Sequence, residues 1–249
     1  MIEFIGVKKK LGNKDVLDGI SFKIEKGETF AIIGRSGAGK SVTLKLMVGL
    51  MQPDSGSIII DGVDISHKND SALATIRKKF GFLFQGSALL NSLTVGDNVG
   101  LPLREHQELP EETIKNRIRE VLEIVGLHEA ENLMPAELSG GMKKRVALAR
   151  SVVRYPEIIL YVEPTTGLDP IMANVINHLI INLREKLNIT SVVVTHDMNS
   201  TFMVANRIAL LYHGKIIQTG KVDYFQNSQD PFIRQFVQGA PKGPFEEET

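Results

Sequence analysis

The 249-residue sequence contains no cysteine, which excludes disulfides and thiolate metal sites and is compatible with a reducing compartment. Neither charge is in excess: 29 Lys and Arg stand against 29 Asp and Glu. Composition therefore offers no general argument for nucleic acid or an anionic membrane as a partner, and no nucleic-acid role is expected. No apolar run approaches the roughly eighteen residues that a bilayer-spanning helix needs. The opening M-I-E-F-I-G-V-K-K-K lacks a long apolar stretch, so no signal peptide is expected. Internal repeats and low-complexity blocks are missing as well. What remains is a chain long enough for one large domain or two lobes around a buried core.

Against these absences stand two glycine-rich turns. The first, Gly34-Arg35-Ser36-Gly37-Ala38-Gly39-Lys40-Ser41, matches the pattern whose backbone N–H groups cradle phosphates, with a lysine reaching the terminal ones and a hydroxyl meeting Mg²⁺. It follows the apolar run Thr29 to Ile33 and precedes a helix from Lys40, with Val42 in its first turn, which is the context the pattern requires. The second, Leu138-Ser139-Gly140-Gly141-Met142-Lys143-Lys144-Arg145, also opens onto a helix and offers another anion seat. Far apart in the chain, the two do not serve one nucleotide within one copy. Two half-sites per chain predict a head-to-tail pair of copies that closes around two nucleotides.

Strand and helix signals set the frame. Ser57 to Ile60, before Asp61-Gly62, reads as a strand entering a tight turn, and Phe80 to Phe84 as another strand. From about Ser87 to Tyr155 the pattern becomes mainly helical. Ile114, Ile118, Val121, Leu122 and Val125 fall on one helical face, with a start at Pro110-Glu111-Glu112 and a stop at Gly126. Ile158 to Val162 and Ser191 to Thr195 are short apolar runs typical of buried parallel strands, with a crossover helix from Pro170 to Leu187 between them. Ile208 to Tyr212 and Ile216 to Thr219 flank His213-Gly214-Lys215 as a hairpin. Gly239 to Thr249, rich in Gly and Pro and then acidic, reads as an extended tail. The expected organisation is a β/α core, residues 1–86 and 156–238, carrying an inserted helical lobe, 87–155.

Three further residues carry chemistry. Glu163 ends the strand I-I-L-Y-V before Pro164, where a general base facing an attacking water belongs. Taken alone it is also a plain solvated acid at a strand end. His196 ends V-V-V-T-H and is placed to hydrogen-bond the γ-phosphate and hold the water in line with Glu163. Gln85 closes G-F-L-F-Q; its amide oxygen is a candidate Mg²⁺ ligand that reports the nucleotide to the helical lobe. A polar residue at a strand exit remains an equally simple reading of Gln85.

These motifs, in this order, resemble the nucleotide-binding subunits of ABC transporters over nearly the whole chain. The resemblance implies an α/β P-loop NTPase fold with a mainly parallel β core, an antiparallel β subdomain and an inserted α-helical subdomain. It identifies Gly34 to Ser41 as the Walker A loop, Leu138 to Met142 as the signature, and Ile158 to Glu163 as the Walker B strand. Gly167-Leu168-Asp169-Pro170 is then the D-loop and His196 the switch histidine. It implies that Ser139, Gly140 and Gly141 bind the γ-phosphate held by the opposite subunit's Lys40, with Asp169 near the dimer seam. Cofactors would be ATP and Mg²⁺, the metal held by Ser41 and Gln85. Within the family, L-S-G-G-M, the stretch Pro102 to Pro110, Leu133 to Arg145 and the segment from Asp230 are similar to the MlaF-like ATPases of MCE-type phospholipid transport systems. That likeness implies an integral-membrane permease, an MCE-domain substrate-binding protein, a STAS-domain partner, phospholipid as the transported substrate, and a peripheral place on the cytoplasmic face of the inner membrane. Ala88, Leu89, Leu90 and Leu93 are then candidates for the permease contact, and equally for lobe core.

Two positions depart from the family. The Walker B strand normally ends Asp-Glu but here ends Val162-Glu163. Valine cannot accept hydrogen bonds from Mg²⁺-bound water, so ATP binding is expected to persist while hydrolysis slows, outer-shell losses costing about 10–100-fold. The position that often stacks an aromatic on adenine holds Leu11, which with Val16 can cover the base only by apolar contact. Lost stacking forfeits about 1–3 kcal/mol. Rival readings are the ATPase of another importer, such as one for amino acids, a soluble ABC protein acting on ribosomes or DNA, and an ATP-binding regulatory switch without turnover.

Overall fold

The computed structural model describes residues 1–105 and 109–245; His106, Gln107 and Glu108, within the stretch Pro102 to Pro110, and Glu246 to Thr249 lie outside the described residues. In chain order the elements are β1 (Ile2–Leu11), β2 (Lys14–Ile24), β3 (Thr29–Ile33), α1 (Lys40–Met47), β4 (Ser55–Ile60), β5 (Val63–Asp64), α2 (Asp70–Arg77), β6 (Phe80–Leu83), α3 (Val95–Arg104) and α4 (Glu111–Ile124). A 3₁₀ turn (Pro135–Glu137) follows, then α5 (Gly140–Val152), β7 (Ile158–Val162), α6 (Pro170–Leu187), β8 (Thr190–Val194), α7 (Met198–Val204), β9 (Arg207–Tyr212), β10 (Lys215–Lys221), α8 (Val222–Asn227) and α9 (Pro231–Gln238). The chain divides into two compact units, Met1–Arg77 with Val192–Thr249, and Lys78–Ser191. The division falls inside β8.

The first unit holds an antiparallel sheet ordered β2-β1-β4-β5, with Ile2 opposite Ile24 and Phe4 opposite Phe22. Ile2 and Phe4 of β1 and Ile20, Phe22 and Ile24 of β2 are buried in alternation, and Phe4 stacks on Phe22 at 4.6 Å between centroids. β3 is buried along its whole length, as a central parallel strand must be. It pairs in parallel with β9, Ala31 opposite Ile208 and Ile33 opposite Leu210. Asn206 fixes that register: its Oδ1 accepts the Thr29 N–H at 2.8 Å and its own N–H donates to the Thr29 carbonyl at 2.8 Å. The β9–β10 hairpin turns on two residues, His213 (φ 43°) and Gly214 (φ 73°), with Tyr212 opposite Lys215. Paired positive φ values are what a right-twisted two-residue hairpin demands, so Lys215, expected in the turn, belongs to the strand.

Residues 239–245 depart from the extended tail that composition suggests for 239–249. Phe245 is 5% exposed and packs edge-on against Tyr212 and Phe232. Gln235 secures the fold-back at both ends, its Oε1 accepting the Phe245 N–H at 2.7 Å and its Nε2 donating to the Ala240 carbonyl at 3.3 Å. One buried aromatic outweighs the Gly/Pro character of the residues before it.

In the second unit β6 and β7 pair in parallel, Phe80 opposite Ile158 through Leu83 opposite Tyr161. The helical stretch follows the expected periodicity: Ile114, Ile118, Val121 and Leu122 are the buried residues of α4, and Val125 beyond it is 1% exposed. Gly126 stops the helix with φ 67°. Buried Asn98 on α3 ties down the preceding loop, accepting the Leu90 N–H and donating to the Leu90, Leu93 and Thr94 carbonyls. Among the candidates for a permease contact, Ala88 and Leu90 are exposed whereas Leu89 and Leu93 are half-buried; Phe84 beside them is exposed as well.

Candidate nucleotide site

In the first unit the glycine loop joins the end of β3 to α1. Two of its glycines are required by space. A Cβ on Gly34 would run into the Leu211 carbonyl, and one on Gly39 (φ 109°) would lie 2.7 Å from Leu17 Cδ2 and 2.9 Å from the Val16 carbonyl. The Ala38 N–H closes the turn onto the Arg35 carbonyl at 3.2 Å. Lys40 bends back over the loop, its Nζ donating to the Gly34 carbonyl at 2.6 Å and the Arg35 carbonyl at 3.0 Å. Its ammonium therefore sits at the mouth of the turn. Arg35, Ser36, Gly37 and Ser41 are exposed and Val42 is half-buried. Beside the loop lies a cavity of about 120 Å³ lined by Val16, Arg35 to Ala38 and His213, among others. Val16 faces this cavity, while Leu11 stands at the β1–β2 turn, 44% exposed.

His196 belongs to the same unit, exposed just past the end of β8. Its neighbours are tightly held. The Asp197 N–H donates to Thr195 Oγ1 at 3.0 Å, and Asp197 caps α7 by accepting the Ser200 N–H at 3.1 Å and Ser200 Oγ at 2.6 Å. These bonds fix the backbone on both sides of the imidazole. The D-x-x-S spacing of Asp197 and Ser200 is a sequence signal for that cap.

In the second unit Ser139 is the N-cap of α5, its Oγ accepting the Met142 N–H at 3.2 Å. Ser139 and Gly140 are exposed at the first turn, where the helix dipole and unpaired N–H groups favour an anion. Gly141 is buried against Met172 so closely that a Cβ would strike the Met172 Cε. Asp169 is the N-cap of α6, Oδ1 accepting the N–H groups of Ile171 at 2.9 Å and Met172 at 3.0 Å. The signature and the D-loop are therefore coupled through Met172.

Gln85 and Glu163 are also brought together. Gln85 is exposed just beyond β6, and Glu163 is half-buried just beyond β7. Between them lies Lys144 of α5, 4% exposed. Its Nζ donates to the Gln85 carbonyl at 2.5 Å and the Glu163 carbonyl at 3.3 Å. Burial pushes this ammonium below the usual lysine range, and the Glu163 charge pulls it partly back. Arg150 donates to the carbonyls of Ser87 at 2.6 Å and Ala88 at 2.7 Å. The Glu163 carboxylate accepts Thr166 Oγ1 at 3.0 Å. Val162 is half-buried and offers no polar atom. Beneath it, Tyr161 is fully buried, which drives its phenol pKa well above the usual value. Sequence reading placed Lys144 in the second anion-binding segment, not against these carbonyls, and did not single out Arg150; their bonds span 59 and 62 residues to Gln85 and Ala88.

The ABC transporter family profile matches residues 17–166. The intermembrane phospholipid transport system ATP-binding protein MlaF of Haemophilus influenzae is 41% identical over 244 residues, 98% of this chain and 92% of that protein. MlaF of Escherichia coli K12 is 40% identical over 98% of this chain and 91% of its own length. The probable ribonucleotide transport ATP-binding protein mkl of Mycobacterium leprae is 39% identical over 98% of this chain and 70% of its own length. Among solved structures, a dimeric post-hydrolysis state of the ATP-binding cassette MJ0796 bound to ADP and Pi superposes with a TM-score of 0.81 at 35% identity, covering 89% of this chain and 99% of that one. Fold, motifs and relatives thus converge, and the chain belongs to the ABC transporter ATP-binding family, an α/β P-loop ATPase.

Proposed function

We propose that this chain is the ATPase subunit of a phospholipid-transporting ABC system and works as a homodimer in which each glycine loop faces its partner's signature helix. The observation that carries the reading is the pair of phosphate seats, one in the glycine loop under Lys40 and one at the N-terminus of α5. The near full-length similarity to MlaF proteins selects phospholipid as the cargo. An integral-membrane permease docks on the helical lobe, residues 87–155, near Phe84 and Leu90, both exposed. An MCE-domain protein and a STAS-domain protein complete the assembly, and the subunit sits peripherally on the cytoplasmic face of the inner membrane.

Within the site, Lys40 exchanges its bonds to the Gly34 and Arg35 carbonyls for phosphate oxygens. Glu163 accepts the proton of the attacking water, His196 holds that water in line, and Ser139 with Gly140 and Gly141 binds the γ-phosphate from the partner's side. The donor chemistry fits Mg²⁺: the Ser41 hydroxyl and the Gln85 amide are neutral hard oxygens. When bound, the metal supplies charge neutralisation at the β- and γ-phosphates. Val162 adds no acceptor, so turnover is slow.

The test is purification from native membranes with identification of the accompanying proteins and lipids, together with Mg²⁺-dependent ATPase assay of the intact complex. An MCE-domain protein, phospholipid and a slow ATPase support the reading; a nucleoside-transport partner set would replace it. A second reading, an ATP-binding switch without turnover, is favoured by Val162 alone and predicts nucleotide binding with no phosphate release.

A further inference from the structure

A lysine ammonium is seldom buried without a reason, because the charged form must replace its hydration with protein oxygens. Lys144 is 4% exposed, and the oxygens it meets are the main-chain carbonyls of Gln85 and Glu163. Both belong to residues assigned to hydrolysis above. Both lie where the backbone is unusual. Glu163 has φ 48°, the left-handed region that non-glycine residues seldom occupy. Ser87 and Ala88, just after Gln85, have φ values of 62° and 49°. Such conformations persist where surrounding contacts over-determine them.

The contacts are present. The Glu163 carbonyl receives Lys144 Nζ at 3.3 Å and the Thr166 N–H at 3.3 Å, while Thr166 Oγ1 holds the carboxylate. On the other side, Arg150 grips the Ser87 and Ala88 carbonyls. Lys144 and Arg150 both project from α5, the helix whose first turn carries Ser139. One rigid helix therefore presents a phosphate seat at its end and holds the backbone of Gln85, Ser87, Ala88 and Glu163 along its length.

We propose that Lys144 is a positioning residue for ATP hydrolysis, its ammonium bridging the Gln85 and Glu163 carbonyls so that the seating of α5 on the partner's nucleotide sets the aim of the Glu163 carboxylate. This rests on the reading that Gln85 and Glu163 serve the hydrolytic site. Lys144 acts through these two carbonyls. A one-ångström misplacement of a catalytic group can cost about 100-fold, so the bridge is large enough in effect to matter.

The experiment compares Lys144→Met, which keeps the length and loses the donors, with Lys144→Arg, which keeps them, in the full chain within its complex. Lys144→Met is expected to lower kcat about 10–100-fold, with KM for ATP and the affinity for a fluorescent ATP analogue within about twofold and Lys144→Arg recovering most of the loss. Amide hydrogen exchange supplies a readout independent of turnover. The Ser87 N–H, bonded to the Phe84 carbonyl at 3.0 Å, and the Thr166 N–H should exchange faster together in Lys144→Met. Unchanged kcat, unchanged exchange at both amides, or a loss of rate that only follows the folded fraction overturns the proposal. Glu163→Gln in parallel separates the two levels: if it leaves turnover intact, the underlying assignment of Glu163 has failed, whereas if it abolishes turnover and Lys144→Met does not, only the bridge has.

Discussion

At the glycine loop the unusual backbone is carried by residues without side chains: Gly37 and Gly39 have φ values of 79° and 109°. At the tip of β7 it is carried by Glu163, with φ 48° and a full carboxylate side chain. The loop holds its shape from within, through the Ala38 turn and the fold-back of Lys40. The Glu163 tip is held both by its own turn, through Thr166, and from outside, by Lys144 on α5. A phosphate cradle needs only N–H groups and room, which glycine supplies at any point in a chain. A general base needs one side chain aimed to within a fraction of an ångström, so distant elements must converge on it. The cradle is a local device, whereas the proposed base depends on a distant helix as well as on its own turn.

The contrast is sharpened first by Glu163→Gln, which keeps shape and removes the proposed base. ATP hydrolysis by the complex should fall about 100- to 10,000-fold while nucleotide affinity holds; a rate within tenfold of the parent would remove Glu163 from that role. Next, Val162→Asp restores the acceptor that the strand end lacks, and the steady-state rate should rise about 10–100-fold. An unchanged rate would mean that the strand end is not what slows turnover. Gly39→Ala attacks the cradle instead. Its Cβ meets the Val16 carbonyl and Leu17 at a positive φ, a strain of about 1–3 kcal/mol, so titration should show nucleotide affinity falling roughly 5- to 150-fold. Equal affinity would show that the loop rearranges on binding. A change of similar size in the opposite direction is expected of Leu11→Tyr, which adds a ring at the β1–β2 turn. The Kd for ATP should drop by the equivalent of about 1–3 kcal/mol, and an unaltered Kd would place the base away from that turn.

The same contrast governs what could be read from the sequence. β3 and β7 are unbroken apolar runs, and the structure gives them the expected bounds, Thr29–Ile33 and Ile158–Val162. α6 spans Pro170–Leu187, capped by Asp169 and closed by left-handed Asn188, as its end residues indicate. The glycine loop is legible because its chemistry is contiguous. Lys144 and Arg150 were not legible. In sequence they extend the basic run of a helix, and only folding sets them against carbonyls far along the chain. Phe245 was hidden for a similar reason. A single aromatic in a Gly/Pro-rich segment carries no periodicity, and its partners Tyr212 and Phe232 come from separate elements.

The central claim is that the γ-phosphate is shared between two copies, held by the glycine loop of one and the signature of the other. With no native cysteine in the chain, every thiol is an introduced one. Ser36→Cys and Ser139→Cys, placed in separate copies and mixed, should form an intermolecular disulfide that depends on ATP. Cross-linking that ignores nucleotide, or none at all while ATP is demonstrably bound, would contradict it.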